Sequence, residues 1–302
     1  MPEVVCLGEL LIDFLPLRPG VFRRAAGGAP ANVAVGLSRL GVGTAFISKV
    51  GDDQFGRFLR AILDAEGVDT SGVATTGDAP TGLAFVALDS KGERGFSFYR
   101  NPCADALLSP GDLRAAPWRG ARIFHYGSIS LIAEPSRSAT LAAIARARRA
   151  GLRLSCDPNL RLALWPSPAR ARAGMREALR HADVVKISEE EVEFLGRIPR
   201  AELVVITRGP RGGTVLAEGR RFDYPAFKVR SIDSTGAGDA FAAGLLYGVL
   251  REMPVAEAVR WAAACGALVT LRRGAIPAMP TLAAVRRMIH HRGTESTEPE
   301  EP

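Results

Sequence analysis

Short apolar runs alternate with longer segments of helical spacing along most of this chain. Residues 4–7 read as a strand, and 10–15 continue with alternation around Asp13. Residues 31–40 have helical spacing stopped by Gly41, 44–50 read as a strand, and 55–66 as a helix ended by Gly67. Residues 83–88 and 95–99 read as two strands joined by the turn Asp89-Ser90-Lys91-Gly92. A strand at 123–126, an arginine-rich helix at 138–150 and a strand at 152–156 follow. Residues 183–187 and 203–207 are short apolar runs ending at polar residues, the pattern of buried parallel strands. A late hairpin at 214–217 and 221–224 precedes three helices at 240–251, 255–271 and 282–290.

This alternation implies an α/β fold with a doubly wound sheet. The early strands lack intervening helices and imply a small β appendage, built from about residues 10–26 and 81–101, on one domain spanning 1–292. Residues 293–302 hold four Glu and no base, the composition of a disordered acidic tail.

Composition narrows the class. With 302 residues, 47% hydrophobic and 24% charged, the chain can bury a large core. No stretch approaches the roughly 20 apolar residues of a membrane span, and no secretory signal is visible at the N-terminus. Four scattered cysteines lack metal or disulfide spacing and fit a reduced, cytoplasmic setting. The net charge of +7 raises the question of nucleic acid. The basic residues are dispersed and few aromatics interleave with them, so neither a nucleic-acid nor a membrane partner is expected. The positive field suits an anionic cosubstrate.

The most informative stretch is Asp233-Ser234-Thr235-Gly236-Ala237-Gly238-Asp239-Ala240-Phe241. A tight small-residue turn opening into an apolar helix exposes amides that attract an anion. Asp239 beside that anion could serve as a base for phosphoryl transfer, or be an ordinary first-turn acid. Gly27-Gly28-Ala29-Pro30-Ala31-Asn32 could bring backbone and the Asn32 amide to sugar hydroxyls, or be a plain helix entry. Asp13 either meets a ligand hydroxyl pair or faces water.

Asp157-Pro158-Asn159-Leu160-Arg161 follows a strand, with Arg161 a candidate phosphate clamp. Ser188-Glu189-Glu190-Glu191 could organise Mg²⁺ through waters or simply begin a helix. The turn from Thr207 through Gly209 and Gly212 would suit nucleotide phosphates or a hairpin. Arg272-Arg273-Gly274-Ala275-Ile276-Pro277 could offer carbonyls to a monovalent cation with Asp233, or form a helix cap. P-loop, protein-kinase, G-x-S-x-G and H-E-x-x-H motifs are absent.

Residues 27–32, the run Gly51-Asp52-Asp53-Gln54-Phe55-Gly56 and residues 233–241, in that order, resemble the PfkB (ribokinase-like) family of sugar kinases. Cys6 to Phe14, Gly28 to Gly36, His125 to Ile132, Asp157 to Trp165 and Gly274 to Pro280 are similar to its fructokinases. The resemblance covers about residues 3–290. It implies an α/β/α domain with a β-sheet lid that serves as a homodimer clasp, and substrates of a small-molecule sugar and ATP.

It further implies Asp239 as general base, with Gly236, Ala237, Gly238 and Asp239 supplying the anion hole. Asp13, Gly28, Asn32 and Arg100 would hold the sugar, alongside Asp157, Asn159 and Arg161. Glu191 would belong to the Mg²⁺ motif, with Ser188 where many members carry asparagine, and Thr207, Gly209 and Gly212 to the ATP loop. Asp233, Thr235, Val269, Arg272, Gly274 and Ala278 would ligate K⁺, mostly through backbone oxygens. One departure is the short segment 195–203, which bears on the adenosine side. The expected activity is transfer of phosphate from ATP to the 6-hydroxyl of fructose. A 2-keto-3-deoxygluconate or ribose kinase and a non-catalytic sugar-binding paralogue are the alternatives.

Overall fold

A computed structural model describes residues 1–18, 20–88 and 94–291. The expected turn at 89–92 and the acidic tail lie outside the described residues.

The chain opens with β1 (Val4–Leu7), buried at all four positions. A hairpin follows, β2 (Leu11–Arg18) and β3 (Val21–Gly27), and its register shifts between Pro16 and Arg18. A bulge there lets a strand interior tolerate a proline that cannot donate to the ladder. α1 (Ala29–Arg39) has proline in its first turn and Gly28 as N-cap at φ 119°. β4 (Thr44–Gly51) leads to α2 (Gln54–Ala65), capped by the Asp53 side chain accepting from the amides of Phe55 and Gly56. Short strands β5 (Val68–Asp69) and β6 (Val73–Thr76) precede a second lid pair, β7 (Gly82–Leu88) and β8 (Arg94–Tyr99).

Then come β9 (Ile123–Tyr126), α3 (Ser136–Arg149), β10 (Arg153–Cys156), α4 (Pro168–Leu179), β11 (Val184–Ser188) and α5 (Glu189–Leu195). The last third comprises β12 (Leu203–Thr207), β13 (Gly213–Ala217), β14 (Arg220–Tyr224), α6 (Ala237–Leu250), α7 (Val255–Val269) and α8 (Leu282–His291).

Among the described residues these strands form two sheets. The larger has the order β14-β13-β12-β11-β10-β9-β1-β4-β5, with β6 also on β4, and only β13 runs against the other strands, pairing antiparallel with β12 and β14. The smaller is β3-β2-β7-β8. In the large sheet β1 lies between β4 and β9, both parallel to it. The chain therefore winds outward in two directions from β1, and a crevice opens beyond the C-terminal ends of the strands at that switch point.

Two apolar clusters cover the faces of the large sheet. α1, α2, α6, α7 and α8 pack on one side, α3, α4 and α5 on the other. Small residues bring helices close. A Cβ at Gly36 would meet Ala243 Cβ at 2.8 Å, and one at Gly244 would meet Ala262 Cα at 2.8 Å. All four cysteines are free and buried. No helix among the described residues is long and apolar enough to cross a membrane.

Candidate active site

The N-terminus of α6 is the centre of the crevice. Gly236 takes φ 77°, a left-handed conformation that lets the chain turn sharply into the helix. Ala237 N–H donates back to Ser234 O, so the first-turn amides left to face an anion are those of Gly238 and Asp239. Asp239 Oδ2 accepts from Asn32 Nδ2 at 2.7 Å, across 207 residues of sequence. The close approach of α1 and α6 at Gly36 and Ala243 makes that bond possible. Burial pushes the Asp239 carboxyl up to about 6. Asn32 opposes the rise, nearby Asp157 adds to it, and Lys186 and Arg161 offset it.

A cavity of about 300 Å³ lies on one side of Asp239. The lid contributes Leu11, Asp13 and Phe98, with Arg100 just past β8. Gly28, Ala29 and Asn32 come from the entry to α1, and Asn159 and Arg161 from the loop after β10. Glycine is required at this wall: a Cβ on Gly28 would strike Glu9 O at 2.2 Å, and one on Gly27 would strike Asp13 Oδ2 at 2.3 Å. Asn159 adopts φ 45°, which turns the chain directly after the strand.

Asp157 does not line this cavity. It lies behind it, accepting from Lys186 Nζ at 2.9 Å through Oδ2. Burial acts to lower the Lys186 pKa, but Asp157, Glu191 and Asp239 outweigh it and raise it, so the ammonium stays charged. A Cβ on Gly238 would stand 2.8 Å from Lys186 Nζ. The absent side chain is what lets a cation sit against the helix N-terminus.

A second, largely apolar cleft of about 520 Å³ lies on the other side. Thr207, Gly209 and Gly212 form one rim, Tyr224 and Phe227 a wall, and Phe241, Ala263 and Gly266 the floor. Residues 195–203 do not line it. Ser234, Ala237 and Gly238 line both cavities, which therefore meet at the helix N-terminus.

Glu191 fastens the site. Its Oε1 accepts from Leu160 N at 2.6 Å and its Oε2 from Ser188 N at 2.9 Å, while Ser188 Oγ accepts from Glu191 N. This capping box ties α5 to the loop carrying Asn159 and Arg161. Burial raises the Glu191 pKa, Asp157 adds to the rise, and Lys186 counters it. With both oxygens engaged, Glu191 fits an outer, water-mediated role toward Mg²⁺ rather than direct ligation.

Asp233 joins two loops. Its Oδ1 accepts from Thr235 N and Oγ1, and its Oδ2 from Gly274 N at 2.9 Å. Ile232 and Asp233 N–H both donate to Thr270 O. The segment from Val269 through Arg272 to Ala278 thus lies against the start of the α6 turn. Val269 and Ala278 are buried and Arg272 is exposed. No group of three or more His, Cys, Asp or Glu side chains among the described residues is arranged to hold a metal ion. Backbone oxygens are the donors these loops offer, a set that fits a weakly hydrated monovalent cation.

Comparison with known proteins decides the family. The pfkB family carbohydrate kinase model matches residues 1–282. The chain belongs to the pfkB family of carbohydrate kinases. It is 47% identical to fructokinase-1 of Zea mays over 313 residues, covering 95% of this chain and 97% of the relative. It is similar to the crystal structure of a Xylella fastidiosa fructokinase with bound ATP, at TM-score 0.90 and 36% identity, covering 97% of this chain and all of that one. A double mutant of a Vibrio cholerae fructokinase bound to fructose, ADP and potassium ion gives TM-score 0.88 and 38% identity, covering 95% of this chain and 98% of that one.

The fold brings the sugar, anion-hole and ATP-loop residues singled out from the sequence to the two cavities, while Asp157, Glu191, Asp233, Val269, Arg272, Gly274 and Ala278 line neither. Three polar residues escaped that reading. Lys186 lies mid-strand in β11, where a charge in an apolar run was the available signal. Glu9 follows β1 at the switch point, and Asp105 becomes visible only through its ion pair with Arg100.

Proposed function

We propose that this pfkB kinase is an ATP-dependent fructokinase, transferring the γ-phosphoryl group to the 6-hydroxyl of D-fructose to give fructose 6-phosphate. One observation carries the reading: Asp239 and the free amides of α6 stand where a polar cavity meets an apolar cleft. The near-full-length similarity to fructokinases supports the choice of sugar.

In this reading Asp13, Gly28, Asn32 and Arg100 hold the sugar, and the cleft between Tyr224 and Ala263 takes the adenosine. Asp239, with a pKa of about 6, is ionised at neutral pH yet still basic. It accepts the O6 proton as O6 bonds to the γ-phosphorus and the bond to the β–γ bridging oxygen breaks, releasing ADP. The amides of Gly238 and Asp239, with Lys186, stabilise charge on the transferring group. Bound Mg²⁺ would neutralise phosphate oxygens, with Glu191 ordering its waters. Bound K⁺, held by the Asp233 and Val269–Ala278 loops, would keep the α6 turn in place.

The reading includes a homodimer clasped through the lid. It also includes a cytoplasmic setting, supported by the four free cysteines. The test is an ADP-release assay over fructose, ribose and 2-keto-3-deoxygluconate, with and without K⁺. Fructose is expected to give the highest kcat/KM. A clear preference for another sugar overturns the assignment.

A further inference from the structure

The sugar cavity contains an arginine on which a carboxylated sugar could dock, yet that arginine is already neutralised. Arg100 Nη2 donates to Asp105 Oδ2, and the two side chains are 10% and 4% exposed. Asp105 comes from the core, in the short turn Ala104–Leu107, not from the lid. Glu9 lies on the same wall, buried, with Oε1 accepting from Ala29 N at 2.8 Å. Burial acts to discharge Arg100, but Asp105 and Glu9 outweigh it and raise its pKa. Burial pushes Glu9 up to about 7, against the pull of Arg100.

The opposite end of the cavity carries two more cations, and each acts on an acid of the same site. Lys186 is paired with Asp157, and Arg161 shares its space with Asp239. Taking the lining residues with Asp105 and Asp157 behind them, three bases face five acids. A guanidinium matched by a carboxylate still offers N–H groups to hydroxyls. Its field no longer attracts an anion, and an incoming carboxylate would lose water to face fixed carboxylates.

We infer that Asp105 and Glu9 are positioning residues for charge selectivity, cancelling Arg100 so that the pocket takes an uncharged ketose and rejects sugar acids. This deepens the sugar-kinase reading and rests on it.

The experiment uses full-length wild-type protein, Asp105→Asn, Asp105→Glu and Glu9→Gln. D-fructose is the substrate, and 2-keto-3-deoxygluconate is presented both as substrate and as competitor. Fructose turnover by the wild type tests the function itself, separately from the variants. In Asp105→Asn the selectivity for fructose over the sugar acid should fall on the order of tenfold, read as kcat/KM or as the inhibition constant. Asp105→Glu should restore selectivity. Removing the partner of a buried charge is costly and Asp105→Asn can fail to fold. Glu9→Gln keeps the acceptor for Ala29 N–H while deleting a charge that is complete only above about pH 7, and in assays at about pH 8 it should shift selectivity in the same direction. Unchanged selectivity in the folded variants, or proportional loss toward both compounds, overturns the inference and leaves these residues a structural role.

Discussion

Asp239 is the residue on which the chemistry turns, and its environment makes a two-sided prediction. Asp239→Asn keeps an acceptor for Asn32 and should bind both substrates, while kcat falls about 10²–10⁴-fold, the usual worth of a positioned base. In the wild type, kcat/KM should rise with pH through about 6 and level off as Asp239 ionises. The variant should lose that limb, and any limb remaining near 7 belongs to Glu9. Stability moves the other way. A carboxyl with a folded pKa above its unfolded value penalises the fold above pH 4, increasingly until it is ionised past about 6. Asp239→Asn should therefore be more stable than wild type at pH 7–8 by about 1–3 kcal/mol, a gain that vanishes below pH 4 in urea titrations. Normal turnover by this variant removes Asp239 from the role of base. Asp239 stood out in the sequence because it sits between a small-residue turn and an apolar run, although an ordinary first-turn acid fitted the same pattern. Lys186 and Asp105 were not. Their meaning lies in partners, Asp157 and Arg100, that local pattern does not pair with them.

At the scale of elements, strongly periodic segments were readable and weakly periodic ones were not. α6 begins at Ala237, three residues before the apolar run suggested, because the glycine turn itself is the first helical turn. α4 escaped because arginine and alanine occupy most of it and only a narrow stripe, including Ala171, Met175 and Ala178, is buried. β3 was expected only as part of the 10–26 appendage, without bounds of its own, because Phe22, Arg23 and Arg24 are exposed in succession, and its pairing with β2 supplies the order that its pattern lacks. The α1–α6 contact was invisible for the same reason, yet it sets the Asn32–Asp239 bond. Gly36→Ala would drive a Cβ to 2.8 Å from Ala243 Cβ and force the helices apart. We expect a loss of about 1–3 kcal/mol in denaturant unfolding, the usual cost of overpacking, together with a reduced kcat. Adding Ala243→Gly removes the collision, and should restore kcat although glycine lowers helix stability by itself. If the double variant stays as impaired as Gly36→Ala, the spacing of α1 and α6 is not what positions Asn32.

The whole molecule leaves one surface unfinished. Phe14 and Phe85 stack at 4.7 Å on the lid, and Phe85 meets Phe22 and Tyr99 edge-on. Phe14 continues onto Phe55 of α2, tying this aromatic row to the core. At its outer end Phe22 is 46% and Tyr99 66% exposed, with Leu17 nearby in the same hairpin at 56%. Clustered apolar exposure of this kind is a feature of surfaces that another protein, a membrane or a ligand covers. The lid also carries Asp13 and Phe98 into the sugar cavity, so whatever covers the lid fixes one wall of the site. A second copy of this chain is the occupant that the homodimer proposal names, and light scattering of the purified protein should give twice the 302-residue mass. Phe22→Asp with Tyr99→Asp should yield monomers with an intact core and unchanged unfolding cooperativity. The monomers should show a raised KM for the sugar and little change in KM for ATP, because the cleft lined by Tyr224 and Phe241 lies away from the lid. A monomeric wild-type protein, or a dimer indifferent to both substitutions, would mean that the aromatic face is not the clasp, and that the lid holds its wall of the cavity without help.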